Sequence, residues 1–122
     1  MKKLNWLAAS AVAVPLLAAP AFAADFKCNG DSVEKSGSTQ YKVRTSGSDI
    51  TIEKSGSTKG KAVKSGSKYS VEVSGSTQAT IEGGKIYKSG STWASVSDAQ
   101  QKYDCPDVVA ATLWVLDKTG NL

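Results

Sequence analysis

Apolar and polar residues alternate along most of this chain with a period of two. Such alternation is typical of strands in a sheet that buries one face and wets the other. The apolar positions are Tyr41, Val43, Ile50, Ile52, Ala62, Tyr69, Val71, Val73, Ala79 and Ile81. The polar positions between them are Lys42, Arg44, Thr51, Glu53, Lys59, Lys61, Ser70, Glu72, Thr80 and Glu82. The pattern therefore predicts a mainly β protein with one apolar and one ionic sheet face.

Ser-Gly-Ser triplets separate these alternating stretches. Serine and glycine favour turns, so each triplet predicts a bend between two short strands. The six copies are spaced by 10, 9, 10, 9 and 15 residues, which makes a two-strand unit of 19 residues that recurs along the chain. The copies begin at Ser36, Ser46, Ser55, Ser65, Ser74 and Ser89.

Two architectures share this pattern, a two-sided β-solenoid with 19-residue rungs and an antiparallel β-meander of short hairpins. The solenoid would stack Lys42 on Lys61, and so place like charges next to each other. In the meander, a four-residue loop from Ser46 to Asp49 and a three-residue loop from Ser55 to Ser57 bring opposite charges together. The expected pairs are Val43 with Ile52, Lys42 with Glu53, Glu53 with Lys59, Ile50 with Ala62, and Lys61 with Glu72. Charge pairing therefore favours the meander, either open or partly or fully closed into a barrel.

The last part of the chain has a different character. Ser97 is a plausible N-cap for a short helix, and Pro106 opens a second candidate helix that ends before Gly120. The stretch from Val108 to Leu116 also fits a buried strand. We expect residues 24–96 to form the sheet and residues 97–122 to form a helical segment of the same domain, which covers the apolar face.

Residues 1–23 have the features of a secretory signal peptide. Lys2 and Lys3 precede an apolar run from Trp6 to Ala19, and Ala21 to Ala23 fits a cleavage site with small residues. The apolar run is short for a membrane span. We therefore expect cleavage after Ala23, no integral membrane segment in the mature chain, and a periplasmic or secreted bacterial protein.

The only two cysteines, Cys28 and Cys105, lie near the two ends of the mature chain. In an oxidising compartment this arrangement predicts one disulfide that closes most of the domain into a loop. The chain has no histidine and no CxxC spacing, so we expect no metal site. Loss of Lys2 and Lys3 lowers the net charge from +4 to +2, and we expect no nucleic-acid partner.

Two short motifs resemble catalytic sequences. Ser65-Gly-Ser-Lys68 matches the SxxK pattern of serine acyltransferases and β-lactamases. The stretch from Gly56 to Lys61 resembles a Walker A loop, but it is one residue short and Ala62 replaces the required hydroxyl. Both motifs fall within the repeat, and a Ser-His-Asp triad is impossible without histidine. We therefore expect no catalytic residues, no cofactor and no enzymatic activity.

The residues that remain indicate a binding protein. Tyr87 and Trp93 lie where the repeat changes its spacing, and Lys42, Arg44 and Lys61 give the ionic face a basic character. These five residues are our candidates for contact with a protein or glycan partner. The alternative fate of the two aromatic residues is packing under the C-terminal segment.

Two further functions stay open. Phe26-Lys27-Cys28, Ser65-Gly-Ser-Lys68-Tyr69 and Cys105 are similar to segments of periplasmic inhibitors of c-type lysozyme, which are small β-barrels. The resemblance covers three short patches and implies that Ser65 and Lys68 would enter the lysozyme active site. The regular repeat would also suit a structural protein that self-associates through strand edges, although lysines on the strands favour a monomer over a fibre.

Overall fold

The computed structural model describes residues 24–122, so the predicted signal peptide lies outside the described residues. Ten strands and two helices follow one another along this part of the chain. Their bounds are β1 Phe26–Asn29, β2 Ser32–Lys35, β3 Ser38–Ser46, β4 Asp49–Lys54, β5 Ser57–Ser65, β6 Lys68–Val73, β7 Ser76–Glu82, β8 Lys85–Lys88, β9 Ser91–Ser95, α1 Val96–Lys102, β10 Tyr103–Asp104 and α2 Asp107–Lys118.

All ten strands belong to one sheet with the order β10-β1-β2-β3-β4-β5-β6-β7-β8-β9. Each strand from β1 to β8 pairs antiparallel with the next, and β10 adds to β1 in the parallel direction. The predicted antiparallel meander of repeated hairpins with a C-terminal helix is confirmed, and the solenoid alternative is wrong. Within residues 24–122 the sheet is open, because β9 and β10 are its two edges.

The predicted register is confirmed for most pairs. Four of the five expected pairs are present, and they join apolar to apolar residues and opposite charges to each other. They are Val43 with Ile52, Lys42 with Glu53, Ile50 with Ala62, and Lys61 with Glu72. The hydrophobic pattern and the cross-strand charges therefore specify the same alignment of strands.

The turn at Ser55 differs from the prediction, and with it one pair. The loop has two residues, Ser55 and Gly56, both with positive φ (53° and 82°), as in the type I′ turns that suit hairpins. A β-bulge in β5 then takes up the odd residue, so Glu53 faces Thr58 and not Lys59. The loop after Ser46 is likewise a two-residue turn, with Ser46 opposite Asp49.

Helix α1 begins one residue after β9 ends, and its N-cap is Ser95 rather than the predicted Ser97. The Ser95 side chain accepts a hydrogen bond from the Asp98 backbone N–H, and the Asp98 carboxylate accepts one from the Ser95 backbone N–H, both at 3.1 Å. This reciprocal capping box satisfies two backbone donors and fixes where the chain leaves the sheet.

The stretch from Val108 to Leu116, which fitted either a helix or a strand, is helical and belongs to α2. Pro106 is its N-cap, as the sequence suggested. The fully buried Leu113 and Leu116 place α2 against the apolar face of the sheet, where it packs on β5, β6 and β7. We call this the inner face and the opposite side of the sheet the outer face.

Gly60 makes room for α2 on the inner face. A Cβ atom built at Gly60 would lie 2.5 Å from Leu116 Cδ2 and 3.1 Å from the Glu72 carbonyl oxygen. The equivalent residues of the neighbouring units, 19 positions away, are Tyr41 and Ala79. The repeat therefore has its smallest residue where the Leu116 side chain meets the sheet.

The predicted disulfide between Cys28 and Cys105 is confirmed, with 4.9 Å between the two Cα atoms. It joins β1 to the segment between β10 and α2. Beside it, the Phe26 ring stacks on Tyr103 at a centroid distance of 4.9 Å. The bond therefore ties the segment before α2 to the first strand of the sheet.

Candidate functional site

The outer face has a repeated set of three side chains on neighbouring strands. In each set a central glutamate lies opposite a lysine on one side and a threonine on the other. The sets are Lys27–Glu34–Thr39, Lys42–Glu53–Thr58 and Lys61–Glu72–Thr77. We call each a triad. The β-bulge brings the threonine opposite the glutamate, so the triads depend on the turn geometry described above.

The fourth triad departs from the other three. Tyr87 takes the place of the glutamate, and Thr80 takes the place of the lysine, while Thr92 keeps the position of the threonine. The three charged triads each have one positive and one negative side chain, whereas the fourth has neither. The outer face therefore ends in an uncharged aromatic position beside the β9 edge.

Arg44 is bound to the glutamate of one triad. Its Nε lies 2.9 Å from Glu53 Oε2, with the Glu53 side chain 17% and the Arg44 side chain 73% exposed. This hydrogen bond to Glu53, together with the charge of that carboxylate, raises the pKa of the Arg44 guanidinium above its ordinary value. Since the guanidinium is exposed, water screens most of the attraction, and the pair serves mainly to orient Arg44.

Shallow hollows recur on the sheet at the spacing of the repeat. Each is lined by the four residues that follow one Ser-Gly-Ser triplet. The Ser-Gly of the next turn at the same end of the strands contributes to the lining. The three hollows have volumes of about 300, 360 and 420 Å³ and centre on residues 39–42, 58–61 and 77–80. The bulges therefore give the outer face a regular relief of polar depressions.

A smaller hollow of about 210 Å³ is lined by two members of the fourth triad, Thr80 and Tyr87, and we call it the Tyr87 hollow. Its lining residues come from β6, β7, β8 and the turn before β9. They are Lys68, Thr80, Glu82, Tyr87 and Gly90. The Ser67 hydroxyl donates a hydrogen bond to Glu82 Oε2 at 3.2 Å, which orients this carboxylate.

The five binding candidates from the sequence do not form one site. Lys42, Arg44 and Lys61 lie on the outer face of β3 and β5, each beside a carboxylate or threonine. Tyr87 lies on the same face, three strands away from Lys61 and five away from Lys42 and Arg44. Trp93 points towards α2, where its ring meets Trp114 edge to face at 4.9 Å, and Lys88 Nζ lies 4.6 Å from its centroid.

Ser65 and Lys68, the candidates for contact with lysozyme, face each other across the turn between β5 and β6. Both are exposed, and Lys68 also lines the Tyr87 hollow. Thr80 and Glu82 were identified from the sequence only as polar positions of the wet face. Aligning the last unit with the others would have marked Thr80 and Tyr87 as departures from the Lys–Glu–Thr order.

The groups with the most shifted pKa values lie at the other end of the inner face. Burial raises the pKa of Tyr103 far above its ordinary value, and the Asp117 charge raises it further. Burial also raises the pKa of Tyr41, again with a contribution from Asp117. Asp117 is bound to Lys102, with Nζ 2.9 Å from Oδ2. These side chains pack the helices against β3 and β10, and they face away from the triads.

Within residues 24–122 no group of three or more His, Cys, Asp or Glu side chains is arranged to hold a metal ion. Neither helix of the same region is long and apolar enough to cross a membrane. We found no protein-family model, curated protein or solved structure that matches this chain.

Proposed function

We propose that this chain is an exported protein without catalytic activity that binds a macromolecular partner, a protein or a glycan, through the outer face of its sheet. The observation that carries this proposal is the fourth triad. Three triads repeat the same charged set, and the fourth replaces it with a neutral set around the half-buried Tyr87. Conserving the fold of the repeat does not require that replacement, since Lys and Glu pair well across antiparallel strands.

The position of α2 supports the outer face as the binding surface. The helix buries the inner face, with Leu113, Leu116 and Val71 fully inaccessible to water. The outer face has lysine ammonium groups, carboxylates and hydroxyls side by side, so it offers both hydrogen-bond donors and acceptors. A partner that uses many polar contacts suits this surface better than an apolar one does.

The disulfide supports export, because such bonds persist mainly in oxidising compartments. The absence of catalysis is supported by the geometry of Ser65 and Lys68. These residues lie across a two-residue turn between strands, whereas SxxK chemistry needs the lysine one helical turn beyond the serine. We therefore propose a location in the periplasm or outside the cell.

Affinity capture from the native cell envelope tests this proposal with a matched pair of variants. Lys61→Glu reverses a charge on the outer face. Lys64→Glu reverses an exposed charge on the same strand, at a position in the alternating series of the inner face. We expect the wild type and Lys64→Glu to retain the same partner and Lys61→Glu to lose it. Equal capture by both variants would exclude the outer face as the binding site. If the wild type captures no partner, the binding function itself is excluded.

A second candidate function is inhibition of a cell-wall hydrolase such as lysozyme. It is favoured by the exposure of Ser65 and Lys68 at the turn between β5 and β6. An inhibitor of this kind would lower lysozyme activity at micromolar concentration, and Lys68→Glu would relieve the inhibition. Unchanged lysis rates with the wild-type protein would exclude this function.

A third candidate is self-association through β9. It is the only one of the ten described strands without a charged residue, and it is an edge of the sheet. Uncharged edges invite pairing with another chain, although the bulge at Trp93 distorts this one. Sedimentation that stays monomeric over a wide concentration range would exclude self-association.

A further inference from the structure

The Tyr87 hollow differs from two of the three repeated hollows in charge and in having an aromatic lining residue. The third, of about 300 Å³, also has a lysine, a glutamate and a tyrosine, but its Tyr41 is buried in the core. Lys68 and Glu82 provide one positive and one negative group, so the net charge of its lining is zero. Thr80 adds a hydroxyl, which both donates and accepts hydrogen bonds. A strongly charged ligand would meet a like charge at one side of this hollow, whereas a neutral polar ligand would not.

The dimensions of the hollow indicate a small ligand unit. Its volume of about 210 Å³ is below the range of about 300–1,000 Å³ that is usual for drug-sized ligands. Gly90 forms part of the wall, with φ of 82° and no atom within 4 Å of the place that a Cβ would take. The hollow is therefore open beside the tyrosine, so that a ring bound there could continue as a longer chain.

Tyr87 provides a surface of a particular kind. An aromatic ring has a negative face and a positive edge, so its face attracts C–H groups that have partial positive charge. A pyranose ring has such C–H groups on one side and hydroxyls at its rim. The hydroxyls would reach Lys68 Nζ as acceptors and the Glu82 carboxylate as donors, and the hydrogen bond from Ser67 already orients that carboxylate.

We propose that the Tyr87 hollow binds one neutral pyranose ring of a glycan, stacked on Tyr87 and hydrogen-bonded to Lys68, Thr80 and Glu82. This inference rests on the proposed binding function and assigns its ligand chemistry. It also gives a reason for the changed triad. Glutamate and lysine at positions 87 and 80 would fill the site with ionic groups and remove the stacking surface, as they do at Glu72 and Lys61.

Titration of the ¹⁵N-labelled mature protein with cellotetraose, chitotetraose and maltotetraose tests the proposal by NMR. We expect at least one of these neutral glycans to give saturable shifts at residues 68, 80–82, 87 and 90. The dissociation constant should be about millimolar, since a shallow site for one ring offers few contacts. A polyuronate of equal length should bind at least about tenfold more weakly, because Glu82 repels it.

Variants at Tyr87 separate stacking from folding. Tyr87→Ile keeps a residue that favours strands but has no ring, and should weaken binding at least about tenfold. Tyr87→Trp keeps a stacking surface and should bind. Glu72→Ala is the matched control at the equivalent position of the charged triad, and should bind like the wild type. Amide spectra without sugar verify that each variant is folded.

Three results would overturn the inference: no saturable shift with any of the neutral glycans, shifts centred outside the hollow, or equal binding by Tyr87→Ile. The envelope capture with Lys61→Glu and Lys64→Glu tests the proposed binding function separately from the sugar site. If that capture succeeds while all the glycans fail, the outer face still binds a partner and only the sugar site is removed.

Discussion

Substitution of Gly60 by alanine is the most direct test of how α2 docks on the sheet. Gly60 lies on the inner face of β5, and its new Cβ would lie 2.5 Å from Leu116 Cδ2. Leu116 is fully buried, so it cannot move aside into water. The Glu72 carbonyl oxygen, 3.1 Å away, closes the other side. The methyl group must therefore displace the helix or distort the strand.

The expected loss of stability follows from two opposing effects. Extra volume in a well-packed core costs about 1–3 kcal/mol. Replacing glycine by alanine in a strand recovers about 0.5–1 kcal/mol, since it restricts the unfolded chain. The net change in the free energy of unfolding should be a loss of about 0.5–2 kcal/mol. For a domain of this size each kcal/mol lowers the melting temperature by about 4–8 °C.

A double-mutant cycle with Leu116→Ala assigns the effect to this contact. Leu116→Ala alone should cost about 2–5 kcal/mol because it leaves a cavity. In the double variant the alanine methyl at position 60 would occupy part of that cavity, so the two losses should fall short of additivity by at least about 1 kcal/mol. Urea denaturation monitored by the fluorescence of Trp114, which lies in α2, measures all four proteins.

Ala79→Gly provides the matched control, since Ala79 has the equivalent position one unit further along the chain. It is buried, so removing its methyl should also destabilise the protein. The repeat thus predicts that a larger residue at position 60 and a smaller residue at position 79 both lower the stability of the fold. A Gly60→Ala variant as stable as the wild type, or strict additivity with Leu116→Ala, would refute the docking argument.

Three further predictions concern the turns, the disulfide and the helix cap. Ser55→Asn should stabilise the fold by about 0.5–1 kcal/mol in urea denaturation, because asparagine tolerates the positive φ of this turn better than serine does. Replacement of Cys28 and Cys105 by alanine should cost about 2–5 kcal/mol in the same assay. Hydrogen bonds from Ser95 hold the pKa of Asp98 below its ordinary value, so the ionised carboxylate stabilises the fold above the pKa that this group has in the unfolded chain. The deficit of Asp98→Asn relative to the wild type should be present at neutral pH and shrink as the pH falls through the pKa of Asp98 in the folded protein.

The sequence was sufficient to predict the strand alignment because two independent patterns agreed on it. The pairing of Val43 with Ile52 keeps both apolar residues on one face, and the same alignment sets Lys42 opposite Glu53. A shift of one residue would have exposed the first pair and buried the second. Few other alignments satisfy both conditions, which is why the meander could be distinguished from the solenoid.

The bulges were beyond this reasoning. Counting residues from Glu53 to Ala62 shows that one residue is in excess for a two-residue turn, but not where the chain accommodates it. A three-residue loop and a two-residue turn followed by a bulge place Ala62 opposite Ile50 equally well. The two arrangements differ only between the turn and Ala62. The three-residue loop sets Glu53 opposite Lys59, whereas the bulge sets Glu53 opposite Thr58. The choice depends on the backbone at Ser55, which adopts a positive φ that serine seldom takes.

The candidate site was affected by the same ambiguity. Tyr87 stood out in the sequence because it is aromatic, but Thr80 and Thr92 did not, since threonine is common on the wet side of strands. Thr80 faces Tyr87 across a regular hairpin, but Thr92 does so only because of the bulge in β9. Trp93 was selected for the same reason as Tyr87, yet it contacts Trp114 of α2. Aromatic character alone could not tell a ring on the outer face from one that packs a helix.

Some departures from a repeat are explained by packing within the protein. The departures that packing does not explain are informative about function. Gly60 departs from Tyr41 and Ala79 on the inner face, and Leu116 accounts for it. Tyr87 departs from Glu34, Glu53 and Glu72 on the outer face, where no helix is present to account for it. We propose that a partner explains the aromatic ring at that position, since neither helix of residues 24–122 covers it. Binding by Tyr87→Glu to everything that the wild type binds would contradict this explanation.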